Sequence, residues 1–322
     1  MNKKYKYIII FFVIFIILNI PLPYYVDAPG GIQNLDKSIR IDGFNSNGSL
    51  NIVFVREYTT NIPMILYSFF RRDYDIIKKS DVIMKNETAK DYEKRDKLLM
   101  NESISNAIYV AYKKADKNLE ILDNKIYVVY NENVNSDLQL YDEILSINNK
   151  KVNSKNDITD ILNKLEVGEY VNINVINDKK KYVRKAKILD EKKLGILISN
   201  VKEYKTIPSI EVNNDKNESG PSGGLMMSLY IYNKLIKEDI TNGKKIVGTG
   251  TIELDGSVGE IGGIKYKLKS AVKNNADLFL VPNGENCVDA KKLKENKNYK
   301  IDIVCVSTFD EALQHLKMQR KG

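Results

Sequence analysis

Ser222 lies in the run Ser219-Gly220-Pro221-Ser222-Gly223-Gly224, and Lys267 follows 45 residues later in Gly262-Gly263-Ile264-Lys265-Tyr266-Lys267. A serine among small residues and a lysine behind a glycine pair are a candidate nucleophile and base. The one histidine in 322 residues is His315, close to the C-terminus, which argues against a Ser-His-Asp triad. The proton of a nucleophilic Ser222 would then pass to an amine, the usual substitute. Lysine titrates near ~10.4, so a base working near neutral pH needs a drop of roughly 3 units, about 4 kcal/mol of differential solvation. Such a lysine must lie in an apolar pocket.

Residues 225–235 are apolar at nearly every position, as in a buried helix, with Pro221 in its first turn and Ser222 at its N-terminus. Unpaired N–H groups and the positive end of the helix dipole would then flank the nucleophile, as an oxyanion hole requires. By itself the glycine-rich run reads equally as a serine helix cap with glycines for close packing. The second half of the chain adds a strand over 246–252, an Asp255-Gly256 hairpin, a returning strand and a helix over 264–274. On that helix Lys265 and Lys267 point about 200° apart, so only one faces Ser222. Ile264, Leu268 and Ala271 form the buried stripe beside Lys267, and Lys269 lacks an apolar setting. Strands over 276–282 and 303–306 follow, with Thr308 capping a helix over 309–316.

These motifs resemble the proteolytic domain of the Lon proteases, whose signatures are Gly-Pro-Ser-Ala-Gly and Gly-Gly-hydrophobic-x-x-Lys. The resemblance implies Ser222 as nucleophile, Lys267 as base and Thr249 as the threonine near the lysine. It places backbone oxyanion donors among Ser222, Gly223 and Ser219. Gly223 stands where alanine is commoner, and Ser219 where many Lon enzymes carry aspartate. It implies an α+β fold and a serine endopeptidase acting on peptides or unfolded proteins through an acyl-enzyme. No cofactor or metal is expected, and because the chain holds no Gly-x-x-x-x-Gly-Lys-Ser/Thr phosphate loop, proteolysis is expected to be independent of ATP and no nucleotide is expected. Phosphate binding by Gly248-Thr249-Gly250 is weak, since that loop leads into a strand.

Residues 7–26 carry no charged side chain and are numerous enough to cross ~30 Å of hydrocarbon. With Lys3, Lys4 and Lys6 before them, they read as a single transmembrane anchor in membrane lipid, N-terminus cytoplasmic and catalytic region outside, at a cell membrane. A cleaved signal peptide is the alternative, but no small-x-small cleavage site follows the run. Cys287 and Cys305 are too few for a disulfide framework, and ordinary thiols are favoured over a pair. The net charge of +8 is spread over many lysines without interleaved aromatics, which excludes a nucleic-acid channel.

A strand over 49–55 follows an Asn47-Gly48 turn, and 86–116 reads as a long amphipathic helix. Over 116–199 come a strand at 126–130, two short strands around Asn148-Asn149, a helix capped by Ser154 and ended by Gly168, and a strand at 170–176. This order resembles a PDZ domain, with Tyr141 and Asn149 at usual glycine positions. Peptide binding by strand addition and a role in shaping access to the protease both stay open.

The whole is similar to the membrane-anchored Lon-like PDZ proteases of Gram-positive bacteria. The resulting division is 1–6 cytoplasmic tail, 7–26 anchor, 27–115 packing with the protease, 116–199 PDZ-like, 200–318 Lon-type and 319–322 tail. The PDZ-like region is inserted in or precedes the protease domain. The competing class is an inactive PDZ scaffold that binds peptides. Lon-type domains often form rings, so a homo-oligomer stays open.

Overall fold

The computed structural model describes residues 3–213 and 218–318. In chain order the elements are α1 (Lys3–Leu18), β1 (Tyr24–Asn34), β2 (Ile39–Ile41), β3 (Ser49–Thr59), α2 (Ile62–Phe69), β4 (Asp75–Lys78) and α3 (Ala89–Lys114). Then come β5 (Asn118–Asn131), β6 (Glu143–Ile147), β7 (Lys150–Lys151), α4 (Lys155–Leu162), β8 (Tyr170–Asn177), β9 (Lys180–Lys187), β10 (Ile196–Ile207) and β11 (Ile210–Val212). The chain closes with α5 (Gly224–Leu235), β12 (Lys245–Gly248), α6 (Ile264–Lys273), β13 (Leu278–Pro282), α7 (Glu285–Lys297), β14 (Asp302–Val306) and α8 (Phe309–Met318). The architecture is α+β.

One six-stranded sheet runs β14-β13-β12-β3-β1-β4. β12, β13 and β14 are parallel to one another and to β3, whereas β1 is antiparallel to both β3 and β4. Parallel neighbours need crossovers, and α6 and α7 provide them. One face of the sheet packs with α6 and α7 through Val53, Val247, Leu268, Ala271 and Phe279. The other packs with α3, α5 and α8 through Leu50, Ile246, Leu225, Leu229 and Phe309. α5 is apolar all round because it is enclosed by α3, α8 and the sheet.

Between β4 and β12 the chain leaves this sheet and builds a second, β10-β5-β6-β8-β9, whose pairings are all antiparallel. Its own core includes Ile126, Ile144, Ile158, Leu162 and Ile173. Ser154 caps α4, and Asp157 returns the bond to the Ser154 N–H, a capping box. Asn148 and Asn149 take φ of 46° and 63°, as the turn between β6 and β7 requires. Tyr141 takes φ of 70°, a left-handed conformation that glycine adopts without strain. Asp142 beside it is fully buried and holds Arg184 through two hydrogen bonds of 3.0 and 3.1 Å.

Several expectations are corrected. Over the apolar run 7–26, the helix ends at Leu18, having begun at Lys3; its 16 residues rise only about 24 Å. Among the described residues no helix is long and apolar enough to cross a membrane. Tyr25 and Val26 are instead buried within β1, 4 % and 0 % exposed, so the end of the apolar run belongs to the sheet and not to the helix. The single-pass anchor over 7–26 and, with it, the placement of the N-terminus in the cytoplasm and of the catalytic region outside are corrected. Cys287 and Cys305 form a disulfide between α7 and β14, with Cα atoms 5.6 Å apart. The strand expected over 246–252 stops at Gly248, and no strand returns after the Asp255-Gly256 turn, whose residues form only a bridge from Ser257 to Thr308. The residue 319–322 tail lies outside the described residues.

Candidate active site

Ser222 precedes α5 by two positions, with Gly223 as the N-cap. Pro221 lies outside the helix, its carbonyl accepting the Gly224 N–H at 3.3 Å to form a turn, rather than occupying the first helical turn as its sequence suggests. Gly220, immediately before it, has φ of 91° and donates its N–H to the Asp96 carbonyl at 3.1 Å. The N–H groups of Ser222 and Gly223 meet no acceptor among the described residues and stand at the positive end of α5. Ser219, the third expected donor, is exposed. A Cβ on Gly223 would meet its nearest neighbour, Ile52 Cγ2, at 3.4 Å, ordinary contact, so the glycine here is not sterically required.

Lys267 comes to the site on α6. Gly263 opens that helix at φ of 71°, where a Cβ would come within 2.6 Å of Val55 Cγ2. Glycine therefore lets the helix start hard against β3. The three lysines separate as their spacing predicts: Lys265 pairs with Asp75 at 2.5 Å and Lys269 with Asp73 at 2.5 Å, both reaching the segment around β4. Lys267 turns inward and is 4 % exposed. Burial alone lowers its amine to about 7, with no charged partner contributing. That sets a large share of the amine neutral at neutral pH.

Thr249, fully buried just past β12, connects the two sides. Lys267 Nζ donates to Thr249 Oγ1 at 3.1 Å, and Thr249 Oγ1 donates to the Ser222 carbonyl at 3.1 Å. The same carbonyl accepts the Gly250 N–H at 2.8 Å, and the Leu225 N–H returns to the Gly250 carbonyl at 3.1 Å. Thr249 itself is held by its N–H to the Leu280 carbonyl of β13. The Ser222 loop is thus laced to the segment that follows β12, and the Lys267 amine is held by the same threonine.

The reading from sequence missed the contribution of α3. Ser103 Oγ donates to the Pro221 carbonyl at 2.8 Å, and Asn106 Nδ2 donates to the Ile252 carbonyl at 3.0 Å. Both side chains are buried on the face of α3 that meets α5. Polar residues buried on an amphipathic helix were the available signal. Asp96 is half-buried, and burial raises its carboxyl despite Arg95. Among the described residues no group of His, Cys, Asp and Glu could hold a metal ion.

Residues 200–319 match the family of the Lon protease (S16) C-terminal proteolytic domain. The Lon protease of Lachnoclostridium phytofermentans is 30 % identical over 123 residues, 35 % of this chain and 15 % of that protein. That of Clostridioides difficile is 29 % identical over 160 residues, 45 % of this chain and 20 % of that protein. That of Azorhizobium caulinodans is 35 % identical over 98 residues, 30 % of this chain and 11 % of that protein. The chain spans at most a fifth of the length of these curated relatives. A Lon protease proteolytic domain, of the serine-peptidase kind, is therefore present in residues 200–319.

Proposed function

We propose that the protein is a serine endopeptidase that cleaves peptides or unfolded proteins without ATP, using Ser222 as nucleophile and Lys267 as general base. The observation that carries the reading is the buried Lys267 amine, brought to about 7 and held by the same Thr249 hydroxyl that holds the Ser222 carbonyl. Because that hydroxyl donates its proton to the carbonyl, it can only accept from the lysine. One N–H of the neutral amine is thereby directed to Thr249, and the lone pair remains for the Ser222 proton.

In the reaction, Lys267 takes that proton as Ser222 Oγ attacks the scissile carbonyl. The N–H groups of Ser222 and Gly223 receive the oxyanion. The ammonium then returns the proton to the leaving amine, and the ester is hydrolysed by water activated through the same lysine. ATP independence rests on the absence of a phosphate loop from this sequence. The second sheet with α4 is read as a PDZ-like module that shapes access to the site, with strand addition by substrate as its binding mode.

The test is cleavage of an unfolded labelled protein by the full chain without ATP, beside Ser222→Ala and Lys267→Ala. Loss of cleavage in both folded variants is the expected result. Cleavage that survives Lys267→Ala would remove the lysine base, and a folded wild type that neither cleaves nor reacts with a fluorophosphonate would favour the scaffold reading.

A further inference from the structure

The carbonyl that Ser103 holds belongs to the same peptide unit as the Ser222 N–H. That unit is trans, since the one cis bond among the described residues is Ile207–Pro208. In a trans peptide the C=O and N–H point in opposite directions. A hydroxyl that pins the Pro221 oxygen toward α3 at 2.8 Å therefore sets where the Ser222 N–H points. We propose that Ser103 is a positioning residue for hydrolysis: it orients and polarises the peptide whose N–H receives the oxyanion. The inference rests on the serine endopeptidase reading above and deepens it.

Three features of the packing support this role. Ser103 is 3 % exposed, so water does not compete for its acceptor. Gly224 makes the approach feasible, because a Cβ there would come within 2.5 Å of Ser103 Oγ. The helix also grips both flanks of the same loop system, with the Asp96 carbonyl accepting from Gly220 at 3.1 Å and Asn106 donating to Ile252 at 3.0 Å. Ser103 and Asn106, three residues apart, share a helix face, so one rigid element holds the turn before the nucleophile and the segment after Thr249. A simpler role, satisfying a buried acceptor, fits less well. The Pro221 carbonyl also accepts the Gly224 N–H at 3.3 Å, so it keeps a partner without Ser103. Removal of the hydroxyl changes the direction and polarity of the peptide more than it strands a polar group.

The experiment compares full-length wild type, Ser103→Ala, Ser103→Thr and Ser103→Cys on the unfolded substrate without ATP. Binding of a peptide boronate, which forms a tetrahedral adduct, is measured in parallel. Ser103→Ala is expected to lower kcat about 10- to 100-fold, below the 10²–10³ of deleting an oxyanion donor outright. KM and the pH inflection from Lys267 should stay within twofold and within half a unit, and boronate affinity should fall by the same factor as kcat. Ser103→Thr, which keeps the hydroxyl, should recover most of the rate. Ser103→Cys keeps the volume with a weak donor, and serves if the alanine variant does not fold; it should lose rate as the alanine does. A Ser103→Ala kcat within twofold of wild type, a loss confined to KM, or a Ser103→Cys rate equal to wild type would each overturn the proposal. An active wild type with an indifferent Ser103→Ala overturns this inference alone, whereas an inactive, fluorophosphonate-unreactive wild type overturns the endopeptidase reading beneath it.

Discussion

Lys267 Nζ lies 3.1 Å from Thr249 Oγ1, and this neutral hydroxyl is the hydrogen-bond partner given to a lysine that is only 4 % exposed. A buried lysine paired with a carboxylate would be held protonated, and would be poor at accepting a proton. A hydroxyl fixes the position of the amine without that charge stabilisation. The two neighbouring lysines of α6 have the opposite arrangement, each placed on an aspartate, Lys265 exposed and Lys269 partly buried.

Thr249→Ala should therefore lower kcat by about 10- to 100-fold while leaving KM nearly unchanged, the range expected when a proton-transfer group loses its alignment. Thr249→Ser, which retains the oxygen, should keep most of the activity. Steady-state kinetics on the two variants checks this. A drop confined to KM would place Thr249 in substrate binding instead.

The same burial has a cost in stability with a definite sign. The folded amine titrates near 7 and an unfolded lysine near ~10.4, so between those values the unfolded state holds a proton that the folded state lacks. Wild-type stability should rise with pH through that window. Lys267→Met removes the penalty, so the variant should exceed wild type most below pH 7, by up to roughly 5 kcal/mol, with the gap closing toward pH 10. Denaturant unfolding of both proteins at pH 6 and pH 10 measures the difference.

The disulfide joins α7 to β14 across a sequence separation of 18 residues. Closing a loop of that length restricts the unfolded chain by about 3 kcal/mol in the loop-entropy account. Cys287→Ala with Cys305→Ala, or reduction of the wild type, should lower the unfolding midpoint by an amount of that order. Among the described residues no hydrogen bond ties the pair to Ser222, Thr249 or Lys267, so folded enzyme should retain its turnover at 25 °C. Calorimetry with and without a reductant reports the first, and the substrate assay the second.

How far the molecule could be read from its residues varies with the range of the interactions involved. Gly263 and Lys267 were legible because a tight helix start and an inward-facing lysine are local requirements, written within five residues. Asn148 and Asn149 announced their turn for the same reason. The run 7–26 misled, because a stretch of apolar residues looks alike in a helix and in a buried strand. The end at Leu18 is followed by Pro21 and Pro23, the local sign that the helix does not continue. The Cys287 pairing depended on the parallel placement of β14 beside β13, which spacing alone does not encode. Ser103 reaches Pro221 across 118 positions of chain, with the whole second sheet between them, so a polar residue on an amphipathic helix was visible in the sequence but the carbonyl it meets was not.

The dependence of kcat/KM on pH, measured on the full chain with an unfolded substrate, tests the lysine base most directly. kcat/KM should rise with pH through an inflection near 7, as the buried Lys267 amine loses its proton. A profile with no inflection between about pH 6 and 9 would contradict it, and would mean that Ser222 is not activated by Lys267.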